Sequence, residues 1–278
     1  NWGLAEASSL KTLNIKAPSP IEGRYKWTGK HKPFDHQKTT AGFLTMNKRA
    51  FCFNEQGTGK TASAIWASDY LLQQKIIKRV LVICPLSIMD SAWRDDLFTF
   101  ATHRTVSVAY GASAKRKKII EEGSEYVIIN YDGVAIVSDE IKKGGFDLVI
   151  VDEATHYKNA QTTRWKTLNK LINEDTWLWM MTGTPAAQSP TDAYGLAKMA
   201  NPRSVPRFFG SFKDQVMHRV SQFTWRPKPD ATEVVFKALQ PAVRFTKEEC
   251  LDLPPMVYVK REVELTRQQK KYYKQLKD

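Results

Sequence analysis

Gly57, Gly59, Lys60 and Thr61 lie in the run Asn54-Glu55-Gln56-Gly57-Thr58-Gly59-Lys60-Thr61, a spacing that suits a loop built to hold a triphosphate. Glycines at 57 and 59 permit positive φ and let backbone N–H groups approach phosphate, which side chains would block. Lys60 can reach β- and γ-phosphate oxygens, and the Thr61 hydroxyl can ligate Mg²⁺. Ala50-Phe51-Cys52-Phe53 precedes the loop as an apolar strand, and Ala62-Ser63-Ala64-Ile65-Trp66-Ala67 follows it as the start of a helix. A helix that starts there aims its N–H dipoles at an anion. ATP contacts are therefore expected from Gln56, Gly57, Thr58, Gly59, Lys60 and Thr61. Asn54 occupies the place of the first glycine in the strict P-loop pattern. A bare Gly-Lys-Thr turn can arise by chance, but the flanking strand and helix weigh against chance.

Phe146-Asp147-Leu148-Val149-Ile150-Val151 is a second apolar strand, and it ends in Asp152-Glu153-Ala154-Thr155. A carboxylate at the C-terminal edge of a parallel strand, beside a phosphate loop, is where a nucleotide-bound Mg²⁺ needs a protein partner. Asp152 is assigned to the metal through a water, and Glu153 to orienting or deprotonating the attacking water. An isolated Asp-Glu pair after a strand is commonly a solvated turn. Here two halves of one ATP site occur in order, each behind its own strand.

The elements that must position these groups follow a βα rhythm. Strands are predicted over residues 50–53, 80–84, 105–110, 126–130, 147–151 and 177–181, with helices over 61–73, 88–100 and 163–173. Several strands are almost continuously apolar, as in a parallel sheet covered on both faces. The predicted fold is a doubly wound, mostly parallel α/β domain with ligands at the C-terminal strand edges. Residues 1–24 read as a lead-in broken by Pro18, Pro20 and Gly23. Residues 25–202 read as the ATP-binding lobe, and 203–255 as an appendage without clear strand–helix alternation. Residues 256–278 read as the start of a second unit. There, Thr266-Arg267-Gln268-Gln269 offers a capping box for a helix through Tyr272 and Tyr273.

Net charge is +13, from 42 basic against 29 acidic residues, which favours a polyanionic partner and suits nucleic acid better than an acidic protein. Cys52, Cys84 and Cys250 are far apart in sequence and suggest neither a disulfide framework nor a zinc site. They read as buried thiols of an intracellular, reducing compartment, the cytoplasm or nucleus. No apolar run reaches membrane-spanning length, so no membrane partner is expected. The Lys115-Arg116-Lys117-Lys118 run is read as a solvated face, and Trp177 and Trp179, which flank Leu178 in a strand whose side chains alternate faces, as core packing residues rather than base-stacking platforms.

With these motifs placed, the chain resembles the first RecA-like lobe of a Snf2-family ATPase of helicase superfamily 2. Lys32-Pro33-Phe34-Asp35-His36-Gln37 is similar to that family's Q motif, and Asn54 to Thr61 to motif I. Val82-Ile83-Cys84-Pro85-Leu86-Ser87, followed by Trp93, is similar to motif Ia, and Ile128-Ile129-Asn130-Tyr131 sits where motif Ib belongs. Asp152-Glu153-Ala154-Thr155-His156-Tyr157-Lys158-Asn159 is similar to Asp-Glu-Ala-His-x-x-Lys-Asn, and Met181-Thr182-Gly183-Thr184-Pro185 to motif III. Asn201-Pro202 and Leu253-Pro254-Pro255 match further landmarks. Three positions depart from the pattern. Asn54 replaces the usual aspartate, Thr155 stands where His or Gln is common, and Ala186-Ala187-Gln188 replaces Ile-Gln-Asn. The Thr-Gly-Thr-Pro-Ala form is similar to annealing or fork-remodelling members and to phage members, for which the compartment would be the host cytoplasm.

The resemblance implies ATP and Mg²⁺ as cofactors, Lys60, Asp152 and Glu153 as catalytic groups, and Gln37 reading the adenine edge. It also implies that Thr182 and Thr184 link the γ-phosphate region to DNA. Ser87, Asn130 and Tyr131 lie just beyond predicted strands, on the rim where this fold class tracks a sugar–phosphate backbone. The partner implied is double-stranded DNA, bound without sequence preference and with a steep salt dependence. Arginine fingers in this family come from a second RecA-like lobe, so the chain alone is expected to turn over little ATP. His156 is read as a supporting residue rather than a catalyst. Two other readings are an RNA helicase lobe of the same superfamily and a non-catalytic nucleic-acid-binding module that keeps the loop only as structure.

Overall fold

The computed structural model describes residues 2–15, 17–186, 188–222, 224–250 and 262–275. Six strands fall within residues 25–202: β1 (Arg49–Cys52), β2 (Val80–Cys84), β3 (Val106–Val108), β4 (Tyr126–Asn130), β5 (Leu148–Val151) and β6 (Trp177–Met181). Later in the chain, β7 (Met217–Arg219) and β8 (Trp225–Pro227) form an antiparallel pair of their own. The short β9 (Ala242–Val243) returns to the main sheet. The seven-stranded sheet runs β3-β4-β2-β5-β6-β1-β9, and every pairing in it is parallel. This is the mostly parallel α/β architecture expected, with helices on both faces.

Side-chain alternation accounts for the two layers. Leu81, Ile83, Val127, Ile129, Val149, Val151, Leu178 and Met180 point to one hydrophobic cluster. Val80, Val82, Ile128, Leu148, Ile150, Trp179 and Met181 point to the other. Neighbouring residues on each strand face opposite sides, so a run apolar at every position must be covered twice. Each such side chain, fully buried, stabilises the fold by roughly 1.5–3 kcal/mol. Trp179 also satisfies its indole by donating from Nε1 to the Asn47 carbonyl, 3.1 Å away.

Helix Lys60–Gln73 opens at Gly59, whose left-handed backbone (φ 79°, ψ 36°) turns the chain out of the loop. Beneath it, Trp66 lies edge-on to Trp27 and Phe100, with ring centroids 5.6 and 5.0 Å apart. The helix predicted over 88–100 is irregular at its start. A 3₁₀ turn over Leu86–Ile88 leads into a wide π-type turn over Met89–Arg94, and regular helix covers Asp95–Phe100. The wide turn brings Met89 and Trp93 inward, where both are buried; such turns recur at functional sites.

Within 203–255, helices Phe209–Val216 and Ala231–Ala238 bracket the β7–β8 hairpin, and β9 pairs with β1. At 262–275, Thr266 and Gln269 form the anticipated capping box. Gln269 N donates to Thr266 Oγ1 at 3.3 Å, and Thr266 N to Gln269 Oε1 at 2.9 Å. Helix Arg267–Gln275 that follows has no buried residue. Leu253-Pro254-Pro255 lies outside the described residues.

Candidate active site

The loop after β1 is held open by its glycines. Gly57 (φ 87°) and Gly59 (φ 79°) occupy backbone space that L side chains rarely enter. A Cβ at Gly59 would run into the Gln37 amide, so any side chain there would have to displace Gln37 as well as adopt a positive φ. Lys60 is buried, and its ammonium donates to the Asn54 carbonyl at 2.9 Å. The lysine is thereby held inside its own loop, one short swing from any phosphate placed there.

Gln37 is buried against the loop, with both ends of its amide used by the protein. Its Oε1 accepts from Phe34 N at 3.0 Å, and its Nε2 donates to the Thr58 carbonyl at 3.2 Å. His36 shares that carbonyl at 2.8 Å. In this conformation Gln37 braces the loop of residues 54–61, and reading an adenine edge would require it to release one of these partners.

At the end of β5, Asp152 is buried, and burial raises its carboxyl above the usual range. Trp93 Nε1 donates to Asp152 Oδ2 at 2.9 Å, and Glu153 N donates to Asp152 Oδ1 at 3.0 Å; both bonds favour the charged form and oppose the burial. Trp93 marks motif Ia in the sequence, but only the fold shows that its indole holds this carboxylate. Glu153 turns into the left-handed region (φ 46°, ψ 53°), unusual for a residue with a side chain and a form of strain that clusters at functional sites. Tyr131 braces that corner, donating from its hydroxyl to the Asp152 carbonyl at 2.6 Å.

β6 lies between β5 and β1, so the segment after it joins the two halves. Thr182 is fully buried; its N–H donates to Cys52 O at 3.0 Å and its hydroxyl reaches Glu153 Oε2 at 3.5 Å. A Cβ on Gly183 would lie 3.5 Å from Gln56 N, so this segment runs directly against the loop of residues 54–61. Thr184 is exposed, and its N–H donates to Thr182 Oγ1 at 3.3 Å.

Gln37, Gln56, Gly57, Gly59, Lys60, Thr61, Asp152 and Glu153 all line one cavity of about 450 Å³. Thr58 belongs to the same loop, but its side chain folds back, donating to the Glu55 carbonyl at 2.8 Å. Pro85, Ile88, Ala92 and Phe100 supply an apolar wall, with Asp96 among them. Burial first, and the nearby Asp95 second, push the Asp96 carboxyl up to about 6.

The expected nucleic-acid rim is less uniform. Ser87 is exposed at the end of β2. Asn130 is half-buried, and its Oδ1 accepts from Arg116 at 2.9 Å. Tyr131 is only 6% exposed, which sets it beneath the rim rather than on it. The His156 ring lies tilted against Tyr131 with centroids 4.5 Å apart, and Arg164 lies 5.1 Å above the same ring while pairing with Asp132 at 2.7 Å. Within the Lys115–Lys118 run, Arg116 departs from the solvated-face reading. It is 6% exposed and donates to the Gly111 and Ala109 carbonyls as well as to Asn130.

A family model described as the SNF2-related domain matches residues 36–278. Among curated relatives, the chromatin-remodeling ATPase INO80 of Lodderomyces elongisporus is 27% identical over 96% of this chain and 18% of its own length. An ATP-dependent helicase of Mycoplasma genitalium is 25% identical over 79% of this chain and 21% of its own. Protein p41 of Acyrthosiphon pisum secondary endosymbiont phage 1 is 26% identical over 59% and 38%. This chain therefore spans well under half the length of each. In three dimensions, the Sulfolobus solfataricus SWI2/SNF2 ATPase core in complex with dsDNA superposes with a TM-score of 0.67 at 23% identity, covering 80% of this chain and 46% of that one.

Proposed function

Because this chain belongs to the SNF2-related domain family, we propose that it is the ATP-binding motor lobe of a double-stranded DNA translocase. In this reading it hydrolyses ATP when a second RecA-like lobe completes the site. The observation that carries the reading is one cavity lined by Lys60, Thr61, Asp152 and Glu153, residues far apart in the chain that meet where a polyphosphate tail fits. The donor set suits Mg²⁺-ATP: a buried ammonium, a hydroxyl at a helix N-terminus, and a buried carboxylate with an indole N–H donor.

Lys60 leaves the Asn54 carbonyl for the β- and γ-phosphate oxygens as ATP enters. Backbone N–H groups of the Gly57–Thr61 turn hold the tail. Thr61 and Asp152 would hold Mg²⁺, which when bound would supply charge neutralisation for the transferring phosphoryl group. Glu153 orients the attacking water, and Thr182, beside Glu153, registers the state of that carboxylate. Gly183, packed on Gln56, passes the change to Thr184 at the surface. Ser87, Asn130 and Thr184 meet a DNA backbone through hydroxyl and amide groups that position without reading sequence. The formal charge of +13 supports the polyanionic partner.

Steady-state ATPase measurements on this chain with and without duplex DNA, beside Mg²⁺-ATP binding by calorimetry, test the reading. The expected result is ATP binding with little turnover. Strong DNA-stimulated turnover by the chain alone contradicts the need for a second lobe, and failure to bind ATP removes the reading altogether.

A further inference from the structure

The segment after β9 follows the phosphate loop residue by residue. Phe51 N donates to Pro241 O at 3.0 Å, Phe53 N to Val243 O at 2.8 Å, and Glu55 N to Phe245 O at 2.9 Å. The parallel ladder thus continues past the end of the sheet and onto the loop itself. Two side chains extend it. Phe245 N donates to Asn54 Oδ1 at 3.1 Å, and Lys247 N donates to Glu55 Oε2 at 3.1 Å. The Phe245 ring rests 5.9 Å from the ring of His36, which holds the Thr58 carbonyl.

Asn54 is the hinge of this clasp. It is fully buried, its Nδ2 donates to Thr40 Oγ1 at 2.8 Å, and its Oδ1 takes the Phe245 N–H. Its backbone carbonyl holds Lys60. One residue therefore links the loop lysine, the helix that carries Gln37, and the segment that carries Lys247. The clasp places the Lys247 side chain over Gly57: a Cβ there would lie 3.3 Å from Lys247 Cε and 3.8 Å from Nζ. Lys247 forms no ion pair among the described residues.

We propose that Lys247 is a further polyphosphate-binding residue, a second ammonium delivered to the phosphate loop by a clasp built on Asn54 and Glu55; this rests on the ATP-site reading given above. An ammonium beside a glycine whose backbone faces phosphate gains from the tail's charge and has no carboxylate partner to give up. Its flexible stem lets it follow the tail without moving the clasp. Residues 243–247 are thereby tied both to the nucleotide and to the chain that continues beyond them.

The test is titration of the whole 278-residue chain with Mg²⁺-ATP and with AMP, at low and high salt. The proteins compared are the parent, Lys247→Ala, Lys247→Arg and Lys60→Ala. Lys247→Ala is expected to weaken ATP about five-fold, the size of one solvent-accessible charge interaction. It should leave AMP within two-fold (roughly the limit for a lost contact outside the tail) and flatten the salt dependence of ATP binding. Lys247→Arg should restore most of the loss. Unchanged ATP affinity in Lys247→Ala, with Lys60→Ala still impaired, overturns the role of Lys247 and leaves the ATP site standing. An equal loss for ATP and AMP overturns it too, because a loosened clasp does not distinguish the two ligands. Absence of ATP binding by the parent removes the ATP-site reading, and this proposal with it.

Discussion

At the ends of β1 and β5 charged side chains converge on a cavity, whereas beyond β4 the polar side chains Asn130 and Tyr131 are drawn inward. Lys60, Asp152 and Glu153 line the first region and face one another across it. In the second, Tyr131 lies beneath the rim and bonds to the Asp152 carbonyl, and Asn130 receives Arg116. Of the residues proposed to meet DNA, Ser87 beyond β2 and Thr184 beyond β6 stand exposed. The contrast separates two kinds of binding. A nucleotide held by a few desolvated charges depends steeply on each of them. A backbone followed by hydroxyls and amides spreads its affinity thinly. Tyr131 also ties the regions together, since the residue that shapes the rim braces the carboxylate corner.

The largest effect expected from this contrast is that of Lys60→Ala. Removing a buried, charge-assisted donor should cost ATP affinity about 100-fold, while duplex DNA affinity, followed by fluorescence anisotropy, stays within about two-fold. Comparable losses for both ligands would erase the distinction between the regions.

Asn54→Asp comes next and acts on the fold. The Thr40 hydroxyl already donates to the His36 carbonyl, so it can accept from an amide but has no proton for a carboxylate. The variant buries an acceptor against an acceptor and should lose about 2 kcal/mol of stability, read from urea unfolding. An unchanged midpoint would mean that the clasp does not depend on the amide. The same geometry explains why this chain departs from the family's usual aspartate: here the position must donate as well as accept.

Asp96 sharpens the comparison through pH. Its carboxyl sits at about 6 in the fold against an ordinary 3.8, so the folded state holds the proton more tightly than the unfolded chain. Stability should therefore fall as pH rises from about 4 to about 6 and remain lower above that range. With Asp96 partly open to solvent, the decline is discounted to about 1 kcal/mol. Asp96→Asn should abolish it and raise the urea midpoint at pH 7; an equal decline in the variant would place its origin elsewhere. The smallest change is expected from Ser87→Ala, a loss of about two-fold in duplex DNA affinity with ATP binding untouched.

How legible these regions were in sequence differs for the same physical reason. β2, β4 and β6 span 80–84, 126–130 and 177–181 as anticipated, because unbroken apolar runs need cover on both faces. The loop of residues 54–61 was legible because positive φ at 57 and 59 selects glycine. β9 gives no such signal: Ala242 and Val243 are too few to show a period, and the strand exists only because β1 offers an open edge. The wide turn at Met89–Arg94 is set by where Trp93 must reach, 2.9 Å from Asp152, and no local pattern encodes that distance. Arg116 reads as one charge in a basic run until the fold supplies two carbonyls and an amide for it. Gln37 shows the converse, a residue chosen by motif whose amide is already committed to Phe34 and Thr58.

A crystal structure with Mg²⁺ and a non-hydrolysable ATP analogue tests the convergence of the four groups most directly. Lys60 Nζ should move from the Asn54 carbonyl to the phosphate oxygens, with Thr61 and a water on Asp152 around the ion and Glu153 facing the terminal phosphate. A nucleotide seated elsewhere, with Lys60 still bound to Asn54, would contradict the assignment of this cavity.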